Sequence, residues 1–238
     1  MEKDSSILLV ANIFYNQDHI FQFFNSVYRD NIDYVILENP SKNSPQIEEF
    51  FKDKKILKHL RSDENITHGT VDHFFKTDSD LIKKYDYLIL TDGDILVYDF
   101  DSYLQEAKEI LEKKGVYVCG IELSSDNLPI KSHPESIHWV PNGPKIDNKY
   151  MEVATGTHML VIKNKYFHLL LEMENMIDVF FYEKIYKNSG VWARTIINKG
   201  KHLTWDYYYP GNEYYEYKRA NEWVQGRHNK KSNIRRIK

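Results

Sequence analysis

A mostly parallel α/β sheet with helices on both faces is the fold this chain predicts, and three observations predict it. From Ile7 to Ile121, short apolar runs alternate with amphipathic stretches whose apolar residues recur at helical spacing, the signature of strand–helix–strand units. The runs are apolar throughout rather than at every second residue, as strands buried on both faces are. Hydrophobic residues make up 42% of the 238 and charged residues 28%, which is globular composition, enough for one sizeable domain or two small ones.

The elements follow in order. Ile7-Leu8-Leu9-Val10-Ala11-Asn12-Ile13 reads as the first strand. Asn16-Gln17-Asp18 then offers helix caps ahead of Ile20, Phe23, Phe24 and Val27. Tyr34-Val35-Ile36-Leu37 is a second strand, closed by Glu38-Asn39-Pro40. Pro45 opens a helix where its missing N–H costs nothing, with Ile47, Phe50 and Phe51 inward. Lys55 to Leu60 is a weaker strand, and Arg61 to Gly69 a polar loop. Val71, Phe74, Phe75, Leu81 and Ile82 then mark a helical stretch leading to the run Tyr85 to Val97, read as one buried strand. A helix capped by Asp101 ends before Gly115, and Val116 to Ile121 is another strand. From Glu122 to Met151 four prolines break the pattern, and an irregular segment of that length in a compact domain is often functional. Val153 to Ile162 reads as a loop entering a strand, Asn164 to about Asn188 as a long helix, Val191 to Asn198 as a shorter one, and Lys201 to Trp205 as a last strand.

The chemistry concentrates at Asp92-Gly93-Asp94. On a continuous strand residues two apart share a face, which would bring the two carboxylates together. Two such charges near a core repel unless a cation separates them, and carboxylate oxygen suits Mn²⁺ or Mg²⁺. Asp-Gly-Asp is also a common turn. The apolar flanks favour the site. Ligands of parallel sheets bind at the carboxyl ends of strands, and Asn12, Glu38 and the Asp pair all fall at such ends.

The net charge of −3 is unevenly spread: Lys218 to Lys238 carries eight Lys/Arg and one Glu, leaving −10 on the rest. A basic tail on an acidic body points to an anionic partner: lipid head groups, a diphosphate or nucleic acid. The single Cys119 sits in an apolar run and reads as a structural thiol. The start lacks the order of a signal peptide, and no apolar run is long enough to span a membrane. The expectation is a cytoplasmic protein, able to touch the inner face of the membrane through its tail.

These residues resemble a GT-A glycosyltransferase, similar to glycosyltransferase family 2. Leu88 to Val97 is like the strand ending in Asp-x-Asp. Glu64-Asn65-Ile66-Thr67-His68-Gly69 is similar to the Asn-x-Gly loop before that strand. Thr155-Gly156-Thr157-His158 into Met159 to Ile162 is like the loop and strand that close the sugar pocket. The resemblance covers about residues 6 to 205. It implies a nucleotide-sugar transferase domain over 1–205, and a Tyr-rich, basic segment over 206–238 serving as lid or membrane-proximal tail. It implies a nucleotide-sugar donor, UDP-sugar foremost, and a glycan or lipid-linked acceptor, as in surface polysaccharide or lipopolysaccharide assembly. It also implies Mn²⁺ or Mg²⁺ on Asp92 and Asp94, with His228, or else His202, as a further ligand. Asn12, Glu38, Asn65, Gly69, Asp92, Thr155 and Gly156 would line the donor pocket. The acidic base of family 2 has no counterpart in Lys187-Asn188-Ser189-Gly190, so Asp178 and Glu183 are the nearest candidates. Trp192 and the aromatics from Trp205 to Tyr217 are candidates to stack on an acceptor sugar. The rival readings are a haloacid-dehalogenase-like phosphohydrolase, whose Asp-x-Asp would stand nearer the start and be followed by Gly-Thr, and a nucleic-acid-binding module using the tail. The acidic body argues against nucleic acid.

Overall fold

The structure, a computed structural model, describes residues 5–15, 17–140, 143–153, 156–173, 178–221 and 232–238. The first half follows the expected alternation. Strands β1 (Ile7–Phe14), β2 (Asp33–Asn39) and β3 (Lys58–Ser62) alternate with helices α1 (Gln17–Val27) and α2 (Ser44–Lys52). Helices α3 (Gly69–Thr77) and α4 (Ser79–Ile82) lead into β4 (Tyr87–Asp92) and the short β5 (Ile95–Val97), followed by α5 (Phe100–Leu111) and β6 (Val116–Leu123). The second half holds β7 (Lys145–Ile146), β8 (Tyr150–Glu152), β9 (Leu160–Lys163), α6 (Phe167–Leu171), α7 (Asp178–Lys187), β10 (Val191–His202), α8 (Glu213–Asn221) and β11 (Ile234–Arg236).

One mixed sheet runs β11-β3-β2-β1-β4-β9-β6-β10-β8-β7, with β5 paired to the end of β10. β3, β2, β1 and β4 are mutually parallel. Successive residues of β1 feed opposite faces, as pleating requires. Leu9, Ala11 and Ile13 pack with Phe23, Phe51 and Leu104 of α1, α2 and α5. Leu8 and Val10 pack with Phe74, Leu170 and Phe181 of α3, α6 and α7. Two covered faces explain why the strand reads as continuously apolar.

Strand β9 is antiparallel to β4, with Leu160 opposite Leu90. Residues 156–159 therefore arrive at the carboxyl end of β4, where the Asp92 N–H donates to the Thr157 carbonyl at 3.0 Å. The carboxyl end of β10 reaches the same place through β5, with His202 opposite Ile95.

Four expectations change. Tyr85 to Val97 is two strands broken by a turn at Gly93-Asp94, so Asp92 closes one strand and Asp94 sits in the turn rather than both alternating along one strand. Val191 to Asn198 is strand, consistent with its β-branched Val191, Thr195, Ile196 and Ile197. Glu106 accepts from the backbone N–H groups of Ile196, Ile197 and Asn198 where that strand bulges. Lys201 to Trp205 is not a separate strand: β10 runs on to His202, and 203–207 form a short 3-10 turn. The stretch from Asn164 to Asn188 holds α6 and α7 as separate helices.

The described C-terminal residues pack on the same sheet. Tyr208, Tyr214 and Tyr215 are buried in the core that contains β1. β11 pairs antiparallel with the β3 edge, and the Lys238 ammonium donates to the carbonyls of Phe51, Lys52 and Lys54 at 3.3, 2.8 and 2.6 Å. A cation there suits the carbonyls at the carboxyl end of α2, where the helix dipole is negative; those of Phe51 and Lys54 also accept backbone N–H groups. Among the described residues no helix is long and apolar enough to cross a membrane.

Candidate functional site

A cleft of about 690 Å³ opens at the carboxyl ends of β1, β2 and β4, where parallel sheets place their ligands. Asn12, Asn65, Asp92, Asp94, Gly156 and Asp178 line it together. One side is a hydrogen-bonded group. The Asn39 amide donates to Asn12 Oδ1 at 3.1 Å and to the Thr67 carbonyl at 2.9 Å, and its Oδ1 accepts from the Ile66 N–H at 2.9 Å. Asn12 Oδ1 also accepts from the Thr70 hydroxyl at 3.0 Å. Thr67 holds left-handed backbone, φ +53°. For a β-branched residue that conformation is strained, and this network fixes it.

The other side is aromatic. Trp139 lies 5.8 Å from Trp205 and 5.9 Å, edge-on, from Tyr208, ring centre to ring centre. Tyr208 stacks with Tyr214 at 6.3 Å. Lys218 of α8 sits over the Tyr208 and Tyr214 rings at 5.2 and 5.8 Å, a cation–π arrangement, and its charge faces Asp94 and Asp92.

The two carboxylates join these sides and are held differently. Asp92 accepts from the Thr157 hydroxyl and lies 3.4 Å from His68 Nε2. Burial works against its charge, yet His68 and the Thr157 hydrogen bond hold its carboxyl down to about 2. Asp94 accepts from the Thr204 hydroxyl at 2.9 Å through Oδ2 and lies 3.7 Å from His202 Nδ1. Its Oδ1 is shut off from solvent and accepts no hydrogen bond from the described residues. Burial, and then the Asp92 charge, push the Asp94 carboxyl upward. His202 stacks flat on Trp205 at 4.5 Å and 3° and meets His158 edge-on at 5.3 Å. Burial keeps both imidazoles neutral, at about 3 for His202 and about 4 for His158.

Gly93 is dictated by packing: a Cβ there would stand 2.5 Å from Ile13 Cγ2. Its N–H donates to the Asn12 carbonyl at 2.8 Å, tying the acid turn to β1. A Cβ on Gly156 would stand 3.1 Å from the His158 ring and 3.5 Å from Asp178 Oδ2.

Other sequence-predicted residues lie elsewhere. Glu38 is fully buried away from the cleft, 2.6 Å from His59 Nε2 and 2.9 Å from Arg61 Nε; its neighbour Asn39 is the group that lines the cleft. Gly69 opens α3 against Ile66. Glu183 lies on the outer face of α7, 3.3 Å from Lys187, so of the two candidate bases only Asp178 reaches the cleft. Trp192 is core, edge-on to Phe181 at 5.4 Å. Thr155 and His228 lie outside the described residues. Sequence reasoning did not single out Asn39, His68, Thr157, His158, Trp139 or Lys218 for the site. The Asn-x-Gly loop and the 155–162 segment carried a signal for His68, Thr157 and His158; nothing local marks Trp139 or Lys218.

Among the described residues no three His, Cys, Asp or Glu side chains form a ready-made metal site. The donor set still fits a hard cation that takes one or two carboxylates and completes its shell with phosphate oxygens and water. Asp94 presents an unused oxygen for it, and a positive charge would relieve the repulsion between the two acids.

No family model matches the chain. It is 32% identical over 204 residues to "Uncharacterized protein L142" of Acanthamoeba polyphaga mimivirus, covering 78% of this chain and 40% of that protein. It is 30% identical over 207 residues to "Uncharacterized protein L137" of the same virus, covering 78% and 27%. The chain thus spans two fifths or less of the length of these curated relatives. Among solved structures it is similar to a mannosyltransferase of Pyrobaculum calidifontis in complex with GDP-Man and Mn²⁺, at 11% identity and a TM-score of 0.59, covering 92% of this chain and 62% of that one. It is also similar to a CMP:2-keto-3-deoxy-manno-octonic acid synthetase complexed with CTP, at 7% identity and a TM-score of 0.51, covering 83% and 90%. At these identities the likeness is one of fold: a Rossmann-like α/β sheet.

Proposed function

We propose that this chain is a metal-dependent glycosyltransferase, moving a sugar from a nucleotide-sugar donor to a glycan or lipid-linked acceptor. The observation that carries the reading is the Asp92-Gly93-Asp94 turn at the end of β4, with Asp94 Oδ1 buried and unpaired inside the cleft. On this reading Asp94 holds Mn²⁺ or Mg²⁺. Asp92, already engaged by Thr157 and His68, orients the donor. Asn12, Asn39, Asn65 and Thr67 receive base and ribose, and Gly156 gives the donor sugar room. When bound, the cation would neutralise charge that builds on the leaving nucleoside diphosphate. Lys218 adds a second positive charge on the same side. Asp178 accepts the proton of the acceptor hydroxyl; its negative charge reaches His68 and His158 in the same cleft.

The test is a thermal-shift panel of UDP, GDP, CDP and ADP, each with and without Mn²⁺, on the wild type and on Asp94→Asn. Ligand at 100 times its Kd stabilises by about 2.7 kcal/mol, a rise of roughly 5–10 °C for a chain of this size. The expected result is a rise that needs both nucleotide and metal and disappears in Asp94→Asn. No rise with any nucleotide in the presence of Mn²⁺ would overturn the proposal.

A further inference from the structure

Helix α7 turns its apolar residues outward. Helix α5 shows the usual arrangement of a surface helix: its six buried residues are apolar or aromatic, and its exposed ones, Asp101, Ser102, Gln105 and Glu109, are polar. Helix α7 buries two side chains, Phe181 and Ile185, and leaves four large apolar ones in solvent. Val179, Phe180, Tyr182 and Tyr186 are 58%, 50%, 39% and 71% exposed. The two tyrosines stack at 6.4 Å and 26°. On the Phe180 flank a groove of about 500 Å³ is lined also by Met173, Glu183, Lys184 and Lys187. A single exposed apolar residue is ordinary, whereas four on a ten-residue helix form a patch.

Area and charge narrow what covers it. An aromatic side chain has about 150–250 Å² to bury, so this face offers roughly 400 Å² of apolar area, the size at which a patch on a monomer is often functional. The two lysines on the face are each paired: Lys187 stands 3.3 Å from Glu183, and Lys184 3.0 Å from Glu172. That pairing takes away the positive face by which an aromatic helix is drawn to anionic lipid. A face with an acid and a base beside the same rings is instead complementary to itself. Two copies related by a two-fold axis, their α7 helices antiparallel, set Glu183 of one beside Lys187 of the other, and each helix end beside the opposite pole of its partner's dipole. Together the two faces bury about 800 Å² of apolar area, and the polar rim takes the total past the roughly 1,000 Å² that a specific interface needs. The helix has a use for such support. Its first residue, Asp178, lines the cleft, while two buried side chains hold it to the core.

We infer that the outer face of α7 is an interface between two copies of this chain, paired antiparallel about a two-fold axis. The inference stands apart from the transferase reading and does not depend on it. The experiment is sedimentation velocity of the full chain from low to high micromolar concentration, with circular dichroism to show that each variant is folded. The wild type should pass from monomer to dimer as concentration rises. Phe180→Glu and Tyr186→Glu, both at exposed positions, should each weaken the dimer tenfold or more. Glu183→Lys and Lys187→Glu should each weaken it as well, because each sets like charges against one another across the axis. The double variant Glu183→Lys with Lys187→Glu should restore it. A wild type that stays monomeric at every concentration overturns the inference. So does a dimer indifferent to Tyr186→Glu and to both single charge reversals, which would lie on another face. Flotation of a monomeric wild type with phosphatidylglycerol vesicles, lost in Tyr186→Glu, also overturns it and gives the face to lipid.

Discussion

The two sides of the cleft are made by different physics. The Asn12–Asn39–Thr67 side stands on parallel strand ends and is held by hydrogen bonds and, behind it, by the buried Glu38–Arg61 pair. The Trp139–Trp205–Tyr208 side comes from segments outside the strand–helix alternation and is held mainly by ring packing. Polar networks are directional and fail when one member is lost, because the partners are left buried and unpaired. Ring clusters tolerate a change of shape at smaller cost. The transferase proposed above would use both, the rigid side as a seat for the nucleotide and the more adaptable one for the acceptor.

The largest effect should therefore fall on the polar side. Glu38→Ala leaves Arg61, which is 6% exposed, with Glu48 at 3.1 Å and the Ser44 carbonyl at 3.2 Å as remaining partners, and leaves His59 without its carboxylate. Removing one member of a buried ion pair costs about 3–5 kcal/mol, and the surviving Glu48 contact favours the lower figure. Urea unfolding should show that loss. If Glu38 met the donor instead, stability would hold and only nucleotide binding would suffer.

The same contrast decides how much was legible in the sequence. Asn12, Asp92 and Asp94 were readable because a parallel sheet places ligands at strand ends, and strand ends show as the close of apolar runs. Glu38 stands one residue from the cleft-lining Asn39: side chains alternate between the two faces of a sheet, so the step from Asn39 to Glu38 turns the carboxylate to the face where it meets His59 and Arg61. The helix expected at Val191 to Asn198 failed because Val, Ile and Thr in a short run satisfy either period, and pairing with β6 settled it. The rest of the site rests on contacts that no local pattern encodes. Thr157 reaches Asp92 across 65 residues, and Thr204 reaches Asp94 across 110. Trp139 lies in a segment whose prolines announced irregularity and nothing more.

Acid should sharpen the comparison from the other side. His19 of α1 is buried edge-on to Tyr214 at 5.7 Å, and burial depresses its imidazole to about 4. The Asp94 charge opposes that shift, while Lys218 and His202 add to it. In the unfolded chain the ring titrates near 6.5, so as pH falls below that value the unfolded state gains a proton that the folded state refuses. Stability should decline between about pH 6.5 and 4 and level off beneath, by about 3 kcal/mol for this one group. Denaturant midpoints of the wild type and His19→Gln between pH 7 and 4 measure it. Parallel curves would show that the aromatic side admits water and charge.

Gly93 tests whether the two sides are mechanically one. It links the Asn12 carbonyl to the acid turn, and Asp94 on its far side is bonded to Thr204 beneath the aromatic rings. Gly93→Ala drives a methyl group to 2.5 Å from Ile13 Cγ2, and Ile13 is only 1% exposed, so the turn must shift. Overpacking of this kind costs about 1–3 kcal/mol. Because the clash is with the β-branch of Ile13, Ile13→Leu should relieve part of it, and the two substitutions should be non-additive by about 0.5 kcal/mol or more. A strict sum would mean the turn yields freely. In that event each side could be altered without the other, and the acid pair would join them in sequence alone.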